Sequence, residues 1–147
     1  MIQRIQTVFL MIAAVALGTQ VATPLVKSSV TDTAYYRDSL LYLKEYMPTL
    51  VLLIVTIALV LITIFLFKNR KLQKTLVLAG IVGILATNLV VGATFLAPTQ
   101  SIMDISNATI TPGIGAFMPV IAMIALIFAY RGISKDDKIV KSMDRLR

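Results

Sequence analysis

Four apolar runs, separated by polar intervals and followed by a charged tail, set the layout of the chain. The first extends from about Ile5 to Ala22, starting after Arg4 and stopping at Thr23-Pro24, where proline disfavours further helix. Its length of about 18 residues suits a ~30 Å hydrocarbon core. Val8 to Gly18 also resembles the apolar region of a signal peptide, but the stretch ending at Thr23-Pro24 is a poor small-x-small cleavage site. We read an uncleaved helix. The second run, 48–67, opens on Pro48, which the first turn of a helix tolerates best. Fifteen of the nineteen residues from Thr49 to Phe67 are Leu, Ile, Val or Phe. Together they contribute roughly −5 to −9 kcal/mol to insertion. The third run, 75–97, is richer in small residues and carries Thr87 and Asn88 near its middle. The fourth, 113–130, is closed by Arg131-Gly132. Pro119 within it, with Gly113 and Gly115 a turn earlier, predicts a kinked or loosened start.

Composition agrees with four membrane-spanning helices in a single integral membrane domain. Apolar residues make up 58% of the 147 and charged residues only 14%, well below the roughly one quarter of soluble domains. The net charge of +7 is concentrated in blocks beside the apolar runs. That placement fits anionic lipid headgroups better than nucleic acid. The turn 68–74 holds four cations, and the tail 131–147 holds six against three acids. The loops 23–47 and 98–112 hold three cations between them, matched or exceeded by acids. The positive-inside rule therefore places both termini and the 68–74 turn in the cytoplasm.

The connections carry weaker signals. Tyr35, Tyr36, Tyr42 and Tyr46 crowd the first outer loop, where a short interfacial helix over 39–46 competes with a small hairpin. Thr111-Pro112 reads as the cap and first turn of the fourth helix. In the tail, Ser134 and Asp137 have capping-box spacing, and Ile139, Val140, Met143 and Leu146 share one helical face. A short amphipathic C-terminal helix on the inner leaflet follows.

Candidate chemistry is sparse. The chain has neither Cys nor His, which removes disulfide and thiolate chemistry, the commonest metal ligand and the usual catalytic triads. No Asp, Glu, Lys, Arg or His falls within an apolar run, so the mark of a proton or ion pathway is missing. We expect no enzyme, no cofactor and no metal. Among the polar residues left in the runs, Gln20, Thr87 and Asn88 are candidates for interhelical packing or for lining a cavity. Asn88 is expected chiefly to hydrogen-bond to a neighbouring helix. Small residues at Ala14, Gly18 and Ala22 and at Ala79, Gly83 and Thr87 suggest close packing of the first helix on the third, or docking of a partner. The second helix reads as lipid-facing. Lys68, Arg70, Lys71 and Lys74, with Lys138, Lys141, Arg145 and Arg147, form a candidate basic cytoplasmic platform.

Met1-Ile2-Gln3-Arg4-Ile5-Gln6, Phe67-Lys68-Asn69-Arg70-Lys71-Leu72-Gln73, Gly113-Ile114-Gly115-Ala116-Phe117 and the segments from Arg131-Gly132-Ile133 to Asp144-Arg145-Leu146-Arg147 together resemble a known family. It is an uncharacterised four-span inner-membrane family of the Bacteroidota, catalogued as a domain of unknown function. The resemblance implies no activity, cofactor or catalytic residue. It does imply a phylum that O-glycosylates exported Asp-Ser/Thr segments, which makes Thr33 in Asp32-Thr33-Ala34 and Ser39 in Asp38-Ser39-Leu40 candidate acceptors.

The expected fold is an all-α membrane bundle of four spans. The expected role is that of a non-enzymatic accessory or scaffold subunit, binding anionic headgroups and a membrane protein partner or a second copy. A small transporter or channel for an apolar or lipid-like ligand is the alternative.

Overall fold

The computed structural model describes residues 2–28, 40–67, 69–96 and 110–144. Four long helices dominate: α1 (Ile2–Ala22), α2 (Met47–Phe65), α3 (Arg70–Leu96) and α4 (Met118–Asp144). Four stretches are long and apolar enough to cross a membrane: Ile5–Ala22, Met47–Phe65, Arg70–Ala93 and Ile114–Val140, the last of which takes in a 3-10 turn at Ile114–Ala116 just before α4. The shortest helix, α2, is about 28 Å long at ~1.5 Å per residue, close to the thickness of a hydrocarbon core.

The buried positions explain how the helices meet. The series along the seam is Gln6, Leu10, Ala13, Leu17 and Gln20 on α1, where Ala14 and Ala16 are buried beside it, and Thr49, Leu53, Thr56, Val60 and Thr63 on α2. On α3 it includes Gln73, Val77, Gly80, Ile84 and Thr87, and on α4 Pro119, Ala122, Leu126, Ala129 and Ile133. Every series advances by four and three residues in turn. That 3.5-residue period keeps one seam facing the neighbours when helices wrap with a left-handed twist, the geometry of most four-helix bundles. Large side chains such as Val8, Ile54, Leu89 and Ile124 point outward, as a bundle solvated by acyl chains requires.

Helix α1 packs on α4 and α2, and α3 packs on α2 and α4, so the two helices with the clearest small-residue repeats stand diagonally apart. This corrects the expected pairing of the first and third helices. The small residues of α3 instead receive α2. A Cβ on Gly83 would collide with the Thr56 side chain, and one on Gly80 would touch Val60 and Leu126. Helix α2 is accordingly lipid-facing on one side only. The Thr49, Thr56 and Thr63 hydroxyls donate to Tyr46 O, Leu52 O and Leu59 O at 2.7–2.8 Å. Each threonine settles its own hydroxyl within α2 and serves its neighbour as a small, branched packing surface.

A small antiparallel sheet, outside the all-α expectation, ties the far end together. Strand β1 (Val26–Ser28) lies between β2 (Leu40–Leu41) and β3 (Ile110–Pro112). Val26 pairs with Leu41 on one side and with Pro112 on the other. The loop 23–47 thus contains the hairpin, followed by a 3-10 turn at Leu43–Glu45. Thr111-Pro112 is strand rather than helix start. After it, Gly113 N and Gly115 N donate to Leu25 O and Pro24 O at 2.8 and 3.0 Å. Any Cβ at these two glycines would run into the Thr23–Leu25 backbone. The pair therefore marks a close chain crossing rather than a loosened helix. Helix α4 begins at Met118, and Pro119 sits in its first turn, where no backbone bond is lost. The amphipathic C-terminal segment is helical as expected, but as the direct continuation of α4 through Arg131-Gly132 to Asp144.

Candidate functional site

The polar groups of the interior gather at the two ends of the bundle. Near the sheet lie Gln20, Thr49 and Thr87, all buried; near the α2–α3 turn lie Gln6, Thr63 and Gln73, also buried. Between them the seam is apolar except for Thr56. Such an arrangement supports helix packing and, among the described residues, offers no chain of buried polar side chains across the bundle.

The α2–α3 turn end is the cation-rich one and has the more elaborate geometry. Asn69 caps α3, its Oδ1 accepting from Leu72 N at 3.2 Å. One turn on, Gln73 Nε2 reaches Thr63 O at 3.3 Å and pins α3 to the end of α2. Arg70 Nη1 donates to Asp136 O at 3.1 Å, and Lys74 Nζ pairs with Asp137 Oδ2 at 2.8 Å. The start of α3 is thus bound to the late turns of α4. Gln6 lies against Gly132, whose missing side chain leaves room for it: a Cβ there would come within 2.9 Å of Gln6 Cγ. Its amide nitrogen Nε2 is buried with no hydrogen-bond partner. Beside it is a pocket of about 170 Å³ lined by Gln6, Thr7, Ile64, Arg70, Gln73 and Asp136, with Phe67 at its edge.

A second opening, about 540 Å³ and almost wholly apolar, is a groove on the outer surface between α1 and α4, including Met11, Val15 and Met118. Phe9 and Phe128 stack across the same pair of helices, ring centroids 5.4 Å apart.

The candidate platform residues meet different fates. Lys71 and Lys138 are exposed, whereas Arg70 and Lys74 are held by the cross-helix contacts above. Lys141 falls on the last turns of α4. Lys68, Arg145 and Arg147 lie outside the described residues, as do the candidate acceptors Thr33 and Ser39. Gln20 is 1% exposed, and its Nε2 has no hydrogen-bond partner. Thr87 is buried with its hydroxyl on Gly83 O, 2.8 Å away within α3. Asn88 departs from expectation: it is exposed, and its Nδ2 turns back to Ile84 O at 2.7 Å rather than crossing to another helix. An amide facing lipid satisfies itself locally when its helix offers a carbonyl one turn back.

Gln6 and Gln73 were missed by sequence reasoning. The clue was available: each is a polar residue on the seam at the boundary of a run, three or four positions from an apolar seam residue. Among the described residues no three His, Cys, Asp or Glu side chains come together as a metal site would require. The arrangement is equipped to bind a polar group at the end of the bundle.

No curated protein and no solved structure matches the chain significantly. Its sequence matches the domain of unknown function DUF4293 over residues 2–146, almost its whole length, and the protein belongs to that family.

Proposed function

We propose that this is a non-enzymatic protein of the bacterial inner membrane, in a family of the Bacteroidota, that works by binding. It is an accessory or scaffold subunit, threaded with both termini in the cytoplasm. Its cation-rich face meets anionic headgroups and a membrane protein partner. One observation carries this reading. The start of α3 and the late turns of α4 are cross-tied by Arg70–Asp136 and Lys74–Asp137 into one surface, while among the described residues the buried polar side chains behind it are amides and hydroxyls. A surface braced in this way presents the exposed Lys71, Lys135 and Lys138 as a fixed pattern.

Gentle-detergent recovery of the tagged protein from native membranes tests it. A reproducible partner should accompany the wild-type chain and be reduced by K71Q/K135Q/K138Q, which leaves both cross-helix ties intact. Recovery of the chain alone from native membranes contradicts the scaffold reading. A small transporter for an apolar or lipid-like ligand is the weaker alternative: of its three lining candidates, Asn88 lies outside the bundle and Thr87 is bonded within its own helix, leaving Gln20 alone.

A further inference from the structure

The pocket at the cation-rich end has a composition that a simple anion site would not need. It is lined by Arg70, whose Nη1 donates to the main-chain carbonyl of Asp136, by the acidic residue Asp136 itself, and by the two buried amides of Gln6 and Gln73. Lys74, the nearby ammonium, is already engaged with Asp137. Gln6 is 6% exposed, and its Nε2 donor has no partner. A buried donor left without an acceptor is costly, and native structures rarely keep one without a reason. The volume of about 170 Å³ is an order of magnitude above the ~10–15 Å³ that one water needs.

The pocket's height along the bundle matters equally. Gln6 and Thr7 are the second and third residues of the span Ile5–Ala22, Ile64 is one residue from the end of Met47–Phe65, and Arg70 opens Arg70–Ala93. Three spans thus reach their common boundary at this pocket, the level at which lipid headgroups lie. The exposed Phe67 and the adjoining Ile64 offer apolar surface beside the polar floor.

We propose that this pocket is a binding site for the zwitterionic phosphodiester headgroup of a phosphoethanolamine lipid. The phosphate oxygens accept from Arg70 and the Gln6 amide. The ammonium donates to the Asp136 carboxylate, and the glycerol end leaves past Phe67. A purely anionic headgroup is disfavoured, because its phosphate would still pair with Arg70 but would bring no cation for Asp136. A trimethylammonium headgroup keeps the charge but loses the N–H donors.

The inference rests on the bundle lying in a bilayer, and the test separates the two claims. Purified protein, first shown to be held in phospholipid vesicles against carbonate extraction, is examined by native mass spectrometry. The added lipids are phosphatidylethanolamine, phosphatidylglycerol and phosphatidylcholine of identical acyl chains. Retention of phosphatidylethanolamine should exceed that of the other two about tenfold. D136N should erase the preference over phosphatidylglycerol. Q6L should lower phosphatidylethanolamine retention several-fold while raising the lipid-free melting temperature, because it removes an unpaired buried donor; a merely structural Gln6 would move both the same way. Equal retention of the three lipids, or a preference unchanged in D136N and Q6L, overturns the site while leaving the membrane reading intact. Extraction by carbonate overturns the membrane reading itself. Thermal protection by soluble glycerophosphoethanolamine equal to that by the lipid overturns the lipid as the source of the headgroup.

Discussion

The contact between Thr56 and Gly83 gives a quantitative handle on how α2 and α3 are held. A methyl group on Gly83 would stand 3.0 Å from Thr56 Cγ2 and 3.3 Å from its Cβ, with Oγ1 closer still. Rotating Thr56 does not relieve this, since a second branch replaces the first and the 2.8 Å bond to Leu52 O is broken. The helices must separate, so Gly83→Ala should cost about 1–3 kcal/mol, the usual range for overpacking. Thr56→Ala removes two heavy atoms and should cost about 0.5–1.5 kcal/mol, comparable with trimming a methyl from a core. In the double variant the new methyl occupies the space the threonine gave up. It should therefore be more stable than Gly83→Ala alone, with a coupling of at least ~1 kcal/mol. Equilibrium unfolding in mixed micelles of increasing SDS fraction measures all four corners of the cycle. Additivity within ~0.5 kcal/mol would refute the claim that these two positions set the approach of the helices.

Other consequences are simpler to test. A methyl group added at Gly18 or Gly92 would meet nothing within 4 Å, so alanine there should leave stability unchanged or raise it by up to about 1 kcal/mol, the gain in helix propensity. Gly113→Ala and Gly115→Ala, in contrast, should lower the melting temperature and folded yield by separating α4 from the Thr23–Leu25 segment. Lys74→Ala should cost no more than about 1 kcal/mol, because the pair with Asp137 is partly open at 24% and 22% exposure; the effect should shrink at high salt. Thr63→Val should cost less than ~1 kcal/mol in the same micelle assay, since its hydroxyl bonds only to Leu59 O of its own helix.

The spans were legible in the sequence because a single physical rule produces them: a stretch without charges must be about as long as the bilayer is thick. What the helices pack against was less legible. Ala79, Gly83 and Thr87 announce a close approach, yet nothing in them names the partner, and the partner is a threonine face that hydropathy alone reads as lipid-facing. Gly113 and Gly115 misled for the same reason. Locally they weaken a helix, while their actual role depends on a backbone about ninety residues earlier. The sheet was half visible, in the tyrosine-rich hairpin, because its third strand comes from the other loop. At the cation-rich end the four-cation turn stood out by charge. The pocket beside it did not, since Gln6 and Gln73 are neutral and line one pocket only once the folded bundle brings α1 and α3 to the same end of α2.

The proposed threading sets the cation-rich end of the bundle in the cytoplasm. The native sequence contains no cysteine, so Lys27→Cys near the sheet and Lys71→Cys near the α2–α3 turn each introduce a single thiol at an exposed position. Spheroplasts expressing either variant are treated with a membrane-impermeant maleimide before and after lysis. With this threading, Lys27→Cys is labelled in intact spheroplasts and Lys71→Cys only after lysis. Labelling of Lys71→Cys in intact spheroplasts, or equal labelling of both positions from one side, would contradict it.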